Sequence, residues 1–288
     1  MSQSRTAVVT GVSTGIGRAA SDRLIKDGWH VFGSVRNEKD AEAAKDALGT
    51  GFTPLLFDVT DDAGVKAAAA QVSEALDGRT LDGLVNNAGI AVAAPLRYVP
   101  VDDLRKQFDV NVYGPIRVTQ AFLPLLGADD NRTGAPGKII NIGSVSGKLS
   151  TPFMAPYSMS KFAVEAMSDA MRMEFLPHGI DVVVVEPGPV KTPIFAKTEE
   201  LDFSRYGQTE YAESLDRFVK SSGKTGKKGL EPSVVGDLIL QIFNNPSPKT
   251  RYAVMKNKFT FWTIPRLMPS RRLDKALAGR MGLKRRNS

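Results

Sequence analysis

Three polar residues in one short stretch have the types and spacing for proton transfer. Tyr157 and Lys161 lie four residues apart just after Pro156, so a helix would place both side chains on one face. A phenol ionises near pH ~10, and an adjacent cation favours the phenolate and lowers that pKa. Ser144 ends a predicted strand thirteen residues upstream, where its hydroxyl would approach the phenol. We therefore predict a site that exchanges a proton with a substrate oxygen.

A glycine-rich turn near the amino end suits a phosphate group. Gly11, Gly15 and Gly17 follow a short β-branched run and open a predicted helix. Glycine permits a tight turn and a close approach of the backbone to pyrophosphate, whose charge the amino end of a helix favours. The spacing is G-x-x-x-G-x-G rather than the G-x-G-x-x-G of other dinucleotide-binding folds.

Together, in this order and about 140 residues apart, the two motifs resemble the short-chain dehydrogenase/reductase family. That family consists of nicotinamide-dependent oxidoreductases on a Rossmann fold, and the resemblance covers about residues 5–255. Pro152-Phe-Met154 before the tyrosine, His178-Gly179 and the aromatic residues after the sixth predicted strand look most like the 17β-hydroxysteroid and retinol dehydrogenase branch.

Composition excludes several other classes of site. The chain has no cysteine and only two histidines, His30 and His178, neither with a ligand partner at useful spacing. A Ser-His-Asp hydrolase, a thiol nucleophile and a metal centre are therefore not expected. The chain begins without an apolar signal region and contains no run approaching the ~20 apolar residues of a membrane span, which predicts a cytoplasmic protein.

Short apolar runs alternate with longer amphipathic stretches, the pattern of buried parallel strands joined by crossover helices. The predicted strands are residues 7–10, 30–35, 52–57, 81–85, 138–142 and 180–185. This predicts an α/β fold, a single-domain doubly wound parallel sheet of the Rossmann type with helices on both faces. We assign residues 1–255 to this catalytic domain and residues 256–288 to a basic amphipathic extension.

The residues after the second strand bear on the choice of coenzyme. Val35 stands about where NAD enzymes carry an acidic residue, and Arg36 follows, whose guanidinium suits a 2′-phosphate. This favours NADP(H) over NAD(H). The alternative is an exposed loop arginine beside Glu38, and the basic residue that some NADP members carry in the glycine turn is absent at Thr14.

The resemblance implies further residues around a nicotinamide cofactor. It places Asp58 at the adenine amino group, although Asp58 could instead be a strand-end acid beside a helix cap, and it assigns Thr192 to the carboxamide. Pro187 and Gly188 would form a rigid wall beside the nicotinamide. The cofactor contacts predicted in all are Gly11, Ser13, Thr14, Gly15, Ile16, Gly17, Arg36, Asp58, Val59, Asn87, Ala88, Gly89, Tyr157, Lys161, Pro187, Gly188, Val190 and Thr192.

The resemblance also completes a catalytic tetrad of Asn111, Ser144, Tyr157 and Lys161. In the family this asparagine holds a water that links the lysine to solvent. From the residues alone, Asn111 is a helix irregularity, because asparagine in a helix interior competes for backbone hydrogen bonds. The reaction implied is the interconversion of a ketone or aldehyde and an alcohol. A catalytically silent NADP(H)-sensing protein is the alternative, although such relatives lose the tyrosine or the lysine.

Two segments indicate the partners. Residues 193–229 lose sheet periodicity and carry aromatic residues, so we expect a helical lid over a small apolar carbonyl or alcohol substrate, steroid-, retinoid- or lipid-like. The lid aromatics are Phe195, Phe203, Tyr206, Tyr211 and Phe218. We also expect a homo-oligomer, dimer or tetramer, because family members commonly pair through the helix that carries Tyr157.

Residues 249–288 hold twelve basic residues and one acid, Asp274, so the body of this +7 chain is acidic and the tail is basic. Apolar rings among the cations, such as Phe259 and Trp262, suit contact with an anionic membrane. We expect no nucleic-acid partner. The alternative is that the aromatic residues cover the substrate pocket or a subunit interface while the charges, which run to Lys284-Arg-Arg286, are solvated.

Overall fold

The computed structural model describes residues 4–194 and 203–284. Seven parallel strands lie in this part of the chain: β1 Thr6–Val9, β2 His30–Val35, β3 Phe52–Leu56, β4 Gly83–Asn86, β5 Lys138–Ile142, β6 Asp181–Pro187 and β7 Arg251–Val254. They form one sheet in the order β3-β2-β1-β4-β5-β6-β7. Successive strands are added on one side of β1 as far as β3 and on its other side from β4 onward. This reversal of the strand order confirms the predicted doubly wound Rossmann architecture.

The sequence predicts six of these strands, with bounds that differ by at most two residues, and misses β7. Apolar, β-branched runs such as Val182 to Val185 reveal a strand that is buried on both faces. The four residues of β7 are all half-buried, because β7 pairs only with β6 at the edge of the sheet. A short edge strand that includes an arginine has too little apolar pattern to be recognised.

Helices cover both faces of the sheet. Their bounds are α1 Gly15–Lys26, α2 Glu38–Leu48, α3 Asp62–Leu76, α4 Val101–Phe108, α5 Gly114–Phe122, α6 Ala155–Glu174, α7 Ala212–Lys227, α8 Pro232–Asn244, α9 Ile264–Leu267 and α10 Ser270–Arg280. Alternate residues of β1 point to opposite faces: Ala7 and Val9 pack with α1, α2 and α8, and Val8 packs with α3, α5 and α6. These two apolar layers hold the strand ends, and therefore the site, in place.

A third apolar cluster lies beyond the strand ends. Phe153, Tyr206 and Phe218 are buried in it, and Met281 and Leu283 of the tail pack against it. The tail is thus partly packed on the body, as is Trp262, which is 5% exposed. Phe195 of the predicted lid and Arg286 of the tail lie outside the described residues. No described helix is long and apolar enough to cross a membrane.

Candidate active site

Helix α6 brings Tyr157 and Lys161 together, as their spacing predicts. The helix begins at Ala155, and Pro156 lies in its first turn, where the missing N–H costs nothing. The Lys161 Nζ atom lies 5.7 Å from the centroid of the Tyr157 ring. It also donates a 2.7 Å hydrogen bond to the Ile142 carbonyl at the end of β5. The lysine is buried, so this bond holds its ammonium beside the tyrosine.

Ser144 reaches the same place from the end of β5. It is 6% exposed, and its Oγ accepts a 3.0 Å hydrogen bond from the Ser146 backbone N–H at the start of a short 3₁₀ turn. The Ser144 hydroxyl also lies near the Tyr157 phenol and acts to lower its pKa. A strand end and a helix thus place two hydroxyls and an ammonium at one point, which is the arrangement predicted from sequence spacing.

The protonation of this group differs from the sequence-based expectation. Burial raises the pKa of the Tyr157 phenol above its ordinary value, and the Ser144 hydrogen bond only partly offsets this effect. Burial also lowers the pKa of Lys161 to about 8, although the Glu165 charge acts in the other direction. The expected net lowering of the Tyr157 pKa is therefore wrong for this structure, because the lost hydration of the phenolate dominates. A protonated phenol is suited to donate a proton.

Asn111 occupies a break in a long helical stretch. Residues Asp109–Tyr113 form a π-helical turn between α4 and α5, so the predicted irregularity is real, and such turns are frequent at functional sites. The Asn111 side chain is buried and makes two hydrogen bonds to the Ile90 backbone. It accepts from the Ile90 N–H at 2.9 Å and donates to the Ile90 carbonyl at 3.0 Å. It also donates to the Ser160 hydroxyl at 3.1 Å. The water-holding role stays a prediction.

Gln107 and Ser160 belong to the same hydrogen-bond network as Asn111, and sequence reasoning missed both. Gln107 is completely buried one turn before Asn111; it accepts from the Val92 N–H at 2.7 Å and donates to the Ile90 carbonyl at 2.9 Å. Ser160 donates to the Tyr157 carbonyl at 2.7 Å. The polar pair four residues apart, Gln107 and Asn111, was the available clue. These bonds tie α4 and the residue 90 loop to the helix that carries Tyr157.

Asn87 anchors the glycine-rich turn. Its side-chain amide donates to the Thr10 carbonyl at 2.8 Å and to the Gly11 carbonyl at 3.1 Å. The Thr10 hydroxyl in turn accepts from the backbone N–H groups of Asn87 and Ala88 at 2.9 and 3.0 Å. The predicted cofactor contacts Asn87 and Ala88 therefore lie directly against the turn after β1. A Cβ placed on Gly89 would lie 3.3 Å from the Asn111 Oδ1, so this glycine also lies against the tetrad residue.

The glycine turn fits a dinucleotide pyrophosphate. A Cβ on Gly17 would lie 2.4 Å from the Gly11 carbonyl oxygen, and Gly11 and Gly15 have φ values of 71° and 62°, which favour glycine. The N-cap residue of α1, Thr14, makes no side-chain cap hydrogen bond, whereas Asn37 caps α2. The first-turn N–H groups of α1, which include that of Ile16, are therefore open to an anion.

Two arginines lie near this turn. Arg18, which sequence reasoning missed, braces the turn by donating to the Val12 carbonyl at 2.9 Å and to the Ser13 carbonyl at 3.3 Å. Arg36 is exposed and lies two residues after Ser34. The Ser34 hydroxyl accepts a hydrogen bond from the Gly11 N–H at 2.9 Å. Among the described residues, none forms a hydrogen bond or ion pair with the Arg36 guanidinium. Its position beside the turn suits a ligand phosphate.

Asp58 and Val59 lie after β3. The Asp58 Oδ1 accepts from both the backbone N–H and the hydroxyl of Thr60, at 2.9 and 2.8 Å. Helix α3 is capped instead by Asp61, which accepts from the Ala63 N–H. Asp58 therefore shapes its own turn, and its adenine contact stays a prediction. Val59 is buried against Gly114 at the start of α5.

The loop after β6 closes over the glycine turn. Gly188, just after Pro187, donates to the Val254 carbonyl at 2.9 Å, and Val190 pairs with Leu230 in an isolated bridge. Thr192 then meets Gly15, because a Cβ on Gly15 would lie 3.1 Å from the Thr192 methyl carbon. This contact places the predicted carboxamide-binding hydroxyl beside the phosphate-binding turn.

An aromatic wall forms just before Tyr157 in the chain. Phe153, four residues earlier, has a left-handed backbone with φ of 67°, a strained conformation for a bulky residue. Its ring packs edge-on against Tyr211 and Phe218, with centroids 5.9 and 5.8 Å apart. The Phe153 carbonyl also accepts from the Ala94 N–H at 2.9 Å. The start of α7, within the predicted lid, is thereby attached to the stretch that leads into α6.

Comparison with known proteins connects this geometry to a family. The family model described as short chain dehydrogenase matches residues 5–202. The "NADPH-dependent 3-dehydrocapnine reductase" of Ornithobacterium rhinotracheale is 40% identical over 271 residues, which are 94% of this chain and 95% of that protein. Retinol dehydrogenase 5 of Mus musculus is 30% identical over 93% of this chain and 86% of that protein.

The fold comparison agrees. The crystal structure of a short-chain dehydrogenase from Streptomyces avermitilis superposes with a TM-score of 0.76 and 25% identity, covering 98% of each chain. The similarity therefore extends over the whole sheet and both helical layers.

Proposed function

This chain belongs to the short-chain dehydrogenase family, as its motifs predict, and we propose that it uses NADP(H) to interconvert a ketone or aldehyde and an alcohol on an apolar substrate. The likeness to retinol dehydrogenase 5 also confirms the predicted branch. The observation that carries the proposal is the half-buried Tyr157 phenol with the Ser144 hydroxyl and the Lys161 ammonium beside it.

In the reducing direction, Tyr157 donates its proton to the carbonyl oxygen. Ser144 hydrogen-bonds the same oxygen, and the positive charge of Lys161 favours the phenolate that forms. When bound, the nicotinamide supplies the hydride to the carbonyl carbon. The N–H groups at the start of α1 would hold the pyrophosphate, Lys161 the ribose, and Thr192 the carboxamide.

The preference for NADP(H) rests on Arg36. Its guanidinium is exposed next to the glycine turn, and Val35 replaces the carboxylate that would bind the ribose hydroxyls of NAD. The relative from Ornithobacterium rhinotracheale is named as NADPH-dependent, which supports this choice. A charge-assisted contact between Arg36 and the 2′-phosphate would provide the discrimination.

The substrate is proposed to be apolar with at least one further polar group. The wall of Phe153, Tyr211 and Phe218, which includes the residues that lead into α6, suits an apolar body. Within the same cluster the Tyr206 side chain is 3% exposed, and its hydroxyl has no hydrogen-bond partner among the described residues. A buried donor and acceptor without a partner is costly, so this hydroxyl is well placed for a substrate group.

A panel of carbonyl compounds with NADPH and with NADH tests the function. The panel includes 3-dehydrocapnine, retinal and alkyl and aromatic ketones, and nicotinamide absorbance is the readout. We expect oxidation of NADPH with an apolar member of the panel and no turnover by Tyr157→Phe. Tight NADPH binding without turnover of any compound would favour the silent, cofactor-sensing alternative.

We further propose that two copies pair through α6. Met159 and Phe162 are each 45% exposed, although both lie on the central catalytic helix. Apolar side chains on one helix face suit a second copy of the chain. Sedimentation analysis is expected to show a dimer or tetramer that Phe162→Asp dissociates. A monomeric wild type would exclude this pairing.

Contact of the tail with an anionic membrane is a separate proposal. Phe259 and Leu267 are 71% and 80% exposed, close to the cations Lys258 and Arg266. Since Trp262 and Met281 pack inward, the exposed pair rather than the whole tail is the proposed contact. We expect salt-sensitive sedimentation with phosphatidylserine vesicles that the double substitution of Phe259 and Leu267 by serine weakens. Failure of the wild type to sediment at low salt would exclude the proposal.

A further inference from the structure

Two buried carboxylates that the proposed reaction does not use lie in one cluster, and one of them, Glu165, acts on the charge of Lys161. Glu165 follows Lys161 by one turn of α6, so Tyr157, Lys161 and Glu165 occupy successive turns of one helix face. Glu186 comes from β6. Glu165 is 4% exposed and Glu186 is 3% exposed, so neither charge is hydrated as it would be at the surface.

Glu165 also touches the loop that carries Ser144. A Cβ on Gly143 would lie 3.1 Å from the Glu165 Oε1, and a Cβ on Gly147 would lie 3.1 Å from the Glu165 Cγ. The glycines on either side of Ser144 thus leave the space that Glu165 fills. This contact places the carboxylate against both halves of the proton-transfer site, the helix and the strand end.

Cations pair with only one of the two oxygens of the Glu165 carboxylate. The Glu165 Oε2 accepts from Lys148 Nζ and from Arg251 Nε, each at 2.9 Å. The other oxygen, Oε1, has no hydrogen-bond donor among the described residues, and neither has the Glu186 Oε1, which lies 4.0 Å from Arg251 Nε. The two carboxyl groups share the Arg251 Nε atom, and a proton held on one of them would supply a donor that the unpaired oxygen of the other lacks.

The cation nearest the two carboxyl groups, Arg251, is shared with a third carboxylate. Arg251 also binds Asp169 on α6 at 2.6 Å, and Asp169 binds Arg172 at 2.8 Å, so part of the positive charge is already paired. The described residues include no group of acidic, histidine or cysteine side chains suited to a metal ion, so a bound cation is not indicated at the pair. Burial and the Glu165 charge raise the pKa of Glu186 to about 7, which agrees with a retained proton.

We propose that Glu165 and Glu186 share one proton in the folded protein, and that this pair sets the pH range in which Lys161 stays charged. The Glu165 charge faces Lys161 and favours its ammonium, against the effect of burial. The pair is thus a positioning element for the reaction, and its importance for turnover rests on the proposed function.

Proton sharing is tested by the free energy of unfolding as a function of pH. A carboxyl group whose pKa is raised on folding binds more protons in the folded state, so stability falls as the pH rises from about 4.5 to about 7. Glu186→Gln, which can donate its amide N–H to Glu165, is expected to lose this part of the pH dependence. Glu174→Gln, an exposed control on the same helix, is expected to keep it. An unchanged slope in Glu186→Gln would overturn the shared proton.

The effect on Lys161 is tested by an NMR titration of its 13Cε chemical shift, assigned with Lys161→Ala. Relative to the wild-type midpoint, expected at about 8, Glu165→Gln should lower the midpoint by about one pH unit. Glu186→Gln should lower it less, since Glu165 keeps its charge, and Glu174→Gln should not change it. The Glu186 variant serves as the test if Glu165→Gln fails to fold. Neither measurement needs turnover, so an inactive wild type would refute the proposed function alone, whereas an unmoved midpoint would refute this inference.

Discussion

Lys161 donates to the Ile142 carbonyl while its Nζ lies 5.7 Å from the centre of the Tyr157 ring. The lysine thus bridges the end of β5 and the helix that carries the tyrosine. Because burial raises the pKa of Tyr157 and lowers that of Lys161 to about 8, the phenol is protonated near neutral pH and the lysine titrates closer to that range.

Tyr157→Phe should abolish turnover and leave NADPH affinity nearly unchanged, because the substitution removes only the proton donor. Steady-state kinetics and fluorescence titration with NADPH measure the two effects. Retention of more than a few per cent of the activity would show that another group donates the proton.

Lys161→Ala should reduce both turnover and NADPH binding, because the ammonium serves the phenolate and the cofactor ribose. The same two measurements distinguish these roles. A loss of turnover with normal NADPH affinity would remove the proposed ribose contact and leave only the electrostatic role.

The rate of reduction should fall as the pH rises through the Lys161 pKa of about 8. Above that pH the lysine is neutral and no longer favours the phenolate that forms when Tyr157 gives up its proton. The pH profile of kcat/KM reports groups of the free enzyme and is the suitable measurement. A rate that stays constant well above pH 8 would contradict this assignment.

Arg36→Ala should weaken NADPH binding by about ten- to a hundredfold, the range of a charge-assisted contact worth ~1.5 to 3 kcal/mol. NADH binding should hardly change, since it lacks the 2′-phosphate. Lys39→Ala, on the adjacent exposed turn, is the matched control. Equal weakening of both coenzymes by Arg36→Ala would make Arg36 a general surface contact.

Tyr206→Phe should raise the free energy of unfolding by about 1 kcal/mol in the absence of substrate, because it removes a buried hydroxyl that has no partner among the described residues. Tyr98→Phe is the control, since the Tyr98 hydroxyl is paired and donates to Glu210 at 2.8 Å. Urea denaturation measures both. Destabilisation by Tyr206→Phe would show that the hydroxyl has a partner in solution.

Local patterns in the sequence were sufficient for much of the fold and for the candidate site. The four-residue spacing of Tyr157 and Lys161 places them on one helix face regardless of the rest of the chain. The glycine positions around Gly11 likewise follow from backbone geometry, and the apolar runs identify the buried strands. These features depend on residues that are neighbours in the chain, so a sequence pattern can reveal them.

Contacts between distant segments were decided only by the tertiary structure. The direction of the Tyr157 pKa shift depends on how completely the surrounding elements exclude water, which the spacing of Tyr157 and Lys161 does not specify. The meeting of Glu165 and Glu186 at Arg251 joins a helix and a strand, and the burial of Trp262 depends on how the tail packs. Burial and electrostatic interaction depend on three-dimensional distance, and residues remote in sequence carry no periodic pattern that records it.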